Sequence, residues 1–201
     1  MSGYGAVDNK PKSSIAVGAA IGVVIIAAVI AGLVYYEISD RRKRDAMDYA
    51  SLNAEMDALK AASEPLGRLQ AAATPETKPE DYAKLVADAK AAYDGYSSKP
   101  RRTSPLPSGR AWPVQFSNAD RFFKDAVDKY SVITYYLDQR QQVLKSPGKH
   151  GTVNIDSDLR NLVENATAAH QKLKDALASM QSQRDAGEWD YSTKPSKIEA
   201  Q

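Results

Sequence analysis

The chain has two histidines and no cysteine, which leaves little from which to build a metal centre or a thiol nucleophile. Zinc needs three or four converging nitrogen, sulfur or oxygen ligands. His150 stands in the turn-forming run Gly148-Lys149-His150-Gly151, and His170 in a helical pattern beside Ala166, Ala169 and Leu173. Neither has a histidine or a carboxylate three or four residues away that completes a ligand motif. The carboxylate pairs Asp45/Asp48, Asp125/Asp128 and Asp156/Asp158 are the remaining candidates for proton transfer. General acid–base work needs two carboxylates held in contrasting environments. These pairs fall on polar helix faces or at helix starts, where aspartate complements the N-terminal dipole. There is no G-x-S-x-G elbow, no glycine-rich phosphate loop and no EF-hand spacing. The expectation is a protein that is not an enzyme, with no catalytic residue, no cofactor and no metal. His170 lies one position off an apolar stripe and is expected at its boundary with the polar edge in water, the alternative being a buried proton switch.

What remains are patterns that bind. Lys99-Pro100-Arg101-Arg102-Thr103-Ser104-Pro105-Leu106-Pro107 is basic and proline-rich. A segment of that kind can be read as polyproline II by an aromatic groove, which makes Arg101, Arg102, Pro105 and Pro107 a candidate partner motif. The plainer reading is a semi-rigid spacer. Tyrosine occurs eleven times. The adjacent Tyr135 and Tyr136 cannot both face one core, so one of them is a candidate contact anchor. A net charge of +2, with acidic and basic residues interspersed, is a solvated surface and not a nucleic-acid footprint.

These elements hang on a chain whose N-terminal part is uncharged from Ser13 to Tyr36. Twenty or so apolar residues at about 1.5 Å each cover the ~30 Å hydrocarbon core of a bilayer. The run is longer than the core of a cleaved signal peptide and ends in Val34-Tyr35-Tyr36-Glu37, a poor cleavage site, so the expectation is an uncleaved signal-anchor. Residues 1–12 form a short polar tail and 13–36 the transmembrane helix. Gly18, Gly22 and Gly32 recur at spacings that let two membrane helices approach closely. Arg41, Arg42, Lys43 and Arg44 follow, against Lys10 and Lys12 before the segment. One reading is contact with anionic lipid headgroups, the plainer one a stop-transfer flank that only sets topology; the richer basic flank predicts a cytoplasmic C-terminal domain. The alternative is export of that domain to the periplasmic or extracytoplasmic side.

Roughly 160 residues follow, enough for one domain with its own core. The periodicity predicts helices over 37–73 with a break at Pro65, then over 79–96, 118–145 and 156–186, with a basic, proline-rich linker over 97–116 and a loosely ordered tail over 188–201. Ile38, Leu52, Leu59 and Leu66 form a heptad-like, coiled-coil seam interrupted at Asp45 and Ser63. Thr77 and Glu80 have capping-box spacing, and Gly187 reads as a C-cap. The fold class is therefore all-α: a single N-terminal transmembrane helix followed by an up-and-down, four-helix bundle over 37–187. The function expected is a membrane-anchored interaction or assembly module, a scaffold or accessory subunit of a membrane complex. Its partners are the lipid bilayer and a protein or a second copy of itself, with no nucleic acid. The alternative is an exported sensor or ligand-binding bundle.

Overall fold

The computed structural model describes residues 13–99, 105–146 and 153–189, with side chains from residue 22 in the first helix and from residue 154 in the last. They form α1 (Ser13–Ala72), α2 (Pro79–Ser97), α3 (Val114–Lys145) and α4 (Val153–Asp185), with no strand among the described residues. The chain divides into two units, Met1–Lys43 and Arg44–Gln201.

In the first unit the described chain is all helix, and Val23, Val24, Ile25, Ile26, Val29, Ile30 and Leu33 are exposed. Side chains this apolar on every face of one helix suit a surrounding that is itself apolar. From Gly22 onward α1 is long and apolar enough to cross a membrane. Ile38, placed by its spacing on the bundle seam, falls in this unit and is exposed.

The second unit is the up-and-down bundle. Its helices are antiparallel in turn. Arg184 of α4 bonds Asp57 of α1, and Lys174 bonds Gln70, so one helix runs down as the other runs up. Arg140 of α3 bonds Asp156 at the start of α4, and Tyr130, earlier in α3, packs edge-on to His170, later in α4. Tyr93 of α2 meets Phe123 of α3 at 5.2 Å. The core is the sum of four stripes: Leu52, Met56, Leu59, Leu66 and Leu69; Tyr82, Ala89 and Tyr96; Phe116, Ala119, Phe123, Ala126, Tyr130, Ile133 and Leu137; and Leu159, Ala166, Ala169, Leu173 and Met180. Burying a side chain of Leu, Ile or Phe size contributes about 1.5–3 kcal/mol, so the stripes hold the helices together more than propensity does.

Several boundaries differ from expectation. α1 does not break at Pro65. Pro65 is only half-buried, between the core positions Ser63 and Leu66, so the helix can give up one backbone bond there and keep its buried face. Ser63, which interrupts the seam, turns its hydroxyl back to the carbonyl of Lys60, 2.8 Å away, which satisfies a polar group on the core face. Thr77 likewise faces backwards, donating to the Ala72 carbonyl at 2.7 Å and closing the end of α1. Lys78, with no side-chain cap, precedes Pro79 at the start of α2. α3 begins at Val114, four residues before the expected start, because the fixed φ of Pro113 pre-sets the turn. Near its end Val143 is buried and Leu144 exposed.

Candidate functional site

A group of long-range polar contacts gathers where the described part of the linker meets α1. Asp45 and Asp48 lie one turn apart on that helix, and both are buried. Asp48 accepts the backbone N–H of Ser108 at 3.2 Å and also its hydroxyl. Asp45 accepts Nη2 of Arg110 at 3.1 Å. The two partners belong to one tight turn: Gly109 N–H donates to the Leu106 carbonyl at 2.7 Å and Leu106 N–H to the Arg110 carbonyl at 2.9 Å. Gly109 adopts φ +81°, a conformation glycine takes at no steric cost. The turn drives Leu106 inward, buried, while Pro105 and Pro107 on either side stay exposed.

Aromatic packing continues from this turn. Trp112 stacks edge-on to Phe116 at 5.7 Å, and Phe116 meets Trp189 at 5.6 Å. Trp189 is only 3 % exposed, so the tail expected from residue 188 onward is anchored at its start. What aims it is the end of α4. Glu188 N–H reaches back to the Gln183 carbonyl and Gly187 N–H to Arg184, with Gly187 at φ +67°, a Schellman stop. A groove of about 470 Å³ runs beside the turn, lined by Ala50, Ser51 and Ala54 of α1 and by Pro105, Leu106, Pro107 and Trp112. Most of that lining is apolar, as in small-ligand and peptide grooves.

The other sequence candidates are dispersed. Pro105 and Pro107 belong to the turn; Arg101 and Arg102 lie outside the described residues. Gly18 falls in the part of α1 of which only the backbone is described. A methyl group added at Gly22 or at Gly32 would meet nothing within 4 Å. Arg41, Arg42, Lys43 and Arg44 are all exposed, with Arg41 bonded to Glu37 one turn before. Of the carboxylate pairs, Asp125 and Asp128 make surface ion pairs with Lys129 and Lys124. Asp156 joins Arg140, whose guanidinium also donates to the Pro75 carbonyl at 2.9 Å and so ties two inter-helix turns together. Tyr135 is 61 % exposed and Tyr136 packs on the core, their rings edge-on at 5.5 Å.

His170 is not a boundary residue. It is 4 % exposed, and its Nδ1 finds no hydrogen-bond partner. Burial, helped by the charge of Lys174, pushes its pKa from 6.5 down to about 4, so the ring is neutral at physiological pH. Burial raises the Tyr82 and Tyr130 hydroxyls alike, Tyr82 further through its proximity to Tyr130. Among the described residues no group of three or more His, Asp or Glu is arranged to hold a metal ion.

Sequence reasoning missed the buried role of Asp45 and Asp48. A signal was present: Asp45 occupies the seam register of Leu52, Leu59 and Leu66, where a charge is tolerated only with a partner. The partners sit 60 and 65 residues on, in a stretch whose composition reads as linker. No protein-family model matches the chain, and neither does a curated protein or a solved structure.

Proposed function

We propose that this chain is a non-enzymatic, single-pass membrane protein whose helical bundle is an interaction or assembly module, working on the cytoplasmic side as an accessory subunit of a larger complex. The observation that carries the proposal is α1. The uncharged run Ser13–Tyr36, whose large apolar side chains from Val23 onward face outward, and the buried stripe from Leu52 to Leu69 belong to one 60-residue helix. Exposed apolar surface of that kind is stable in a bilayer and costly in water. The exposed basic run Arg41–Arg44 supports a cytoplasmic bundle. Val132, Tyr135 and Leu144, exposed along α3, support a protein contact, since tyrosine is enriched among residues that dominate binding.

The test is the native mass of the full chain extracted in a mild detergent. A defined homo-oligomer, or a complex with a partner in fixed stoichiometry, is the expected result. A homogeneous, partner-free monomer would contradict the assembly role.

A further inference from the structure

The chain has two tryptophans, Trp112 and Trp189, and both stand at the same end of the bundle, joined through Phe116. The turn that precedes Trp112 is held to α1 by two charged contacts and one buried leucine. The helices are held by several fully buried side chains each. Segments with few buried apolar contacts open locally at a lower free energy than the core they cover.

We propose that residues 105–112 form a hinged strap, which opens from α1 as a unit while the four helices stay folded, and which loosens Trp189 as it leaves. The two contacts, one an ion pair and one a carboxylate bonded to a serine, break together. Asp45 and Asp48 are one helical turn apart, and Ser108 and Arg110 are fixed in one closed turn by its own backbone bonds, so neither contact can slide independently. Asp48 is the latch. Its carboxylate is fully buried and bonds Ser108 twice, so partial opening would leave a charge in apolar surroundings without those bonds. Phe116 transmits the change, because Trp112 on one side and Trp189 on the other pack on the same ring. Open, the strap uncovers Leu106, which is buried when it is closed, and widens the groove it shares with the already exposed Ala50 and Ala54 of α1. This holds whichever side of a membrane the bundle occupies.

The two tryptophans make the strap observable without a label. In a urea titration of the full chain in detergent, tryptophan emission should shift and quencher access rise before far-UV circular dichroism reports loss of helix. Coincident transitions would overturn the proposal. Ser108→Glu sets a second carboxylate against Asp48. It should speed amide exchange over 105–112 and at Trp189 about tenfold, with exchange in Ala119–Ile133 and Leu159–Leu173 unchanged. Equal acceleration in the helices, or none in the strap, would overturn it as well.

Discussion

Asp48 and Ser108 stand 60 residues apart in the chain, yet one carboxylate takes both the backbone N–H and the hydroxyl of that serine. A carboxylate with no exposed surface is tolerated because it is bonded in this way; the same group without donors would carry its full desolvation cost. The pair also decides the course of the linker. It does so together with the Asp45–Arg110 contact and the buried Leu106.

Asp48→Ala removes both acceptors and should lower stability by about 1–3 kcal/mol. The midpoint of urea unfolding, followed by far-UV circular dichroism, measures it. Asp45→Ala should cost less, because its partner Arg110 is 38 % exposed and regains water. Equal losses from the two substitutions would contradict this ranking.

His170 makes the bundle sensitive to acid. Its folded pKa of about 4 lies below the 6.5 of the free side chain, so the unfolded chain takes the proton first. The stabilisation is complete above about pH 6.5, declines as the pH falls, and is lost by about pH 4, a total on the order of 3 kcal/mol. His170→Leu removes this titration and should flatten the dependence between pH 7 and pH 4.5. Unfolding midpoints of both proteins at the two pH values give the comparison, and identical slopes would assign the acid sensitivity elsewhere.

Pro65 sits inside α1 without ending it. Pro65→Ala restores a backbone donor and should stabilise the bundle by about 1–3 kcal/mol, less what the proline saves by restricting the unfolded chain. Thermal unfolding by circular dichroism is the measurement. A lower melting temperature would mean that the proline shapes a bend the packing requires.

The four helices were legible because their buried faces repeat. Leu159, Ala166, Ala169, Leu173 and Met180 recur at a helical period that no other structure uses, and Gly187 stands where such a helix must stop. The ends were less legible, because they depend on local chemistry that composition masks. Trp112-Pro113 reads as linker, although Pro113 begins α3; Thr77 reads as the cap of α2, although its hydroxyl closes α1. The contacts of Asp45 and Asp48 with the linker were legible only in the seam register of Asp45. Asp45 and Asp48 follow a basic run and resemble a solvated face, and their burial depends on Ser108 and Arg110, which only the folded chain brings near. His170 was misplaced by a single position. The fold wraps that position with Tyr130 of α3, a neighbour no spacing within α4 can reveal.

The most direct test of the membrane-anchored account uses the absence of native cysteine. Ser2→Cys and Ser182→Cys, each alone in the full chain, are exposed to an impermeant maleimide on intact cells. Labelling at residue 2 alone, with residue 182 reacting only after permeabilisation, is the result expected of a single span with a cytoplasmic bundle. Labelling at residue 182 alone would put the bundle outside and favour the exported sensor; labelling at both sites would contradict a membrane span between them.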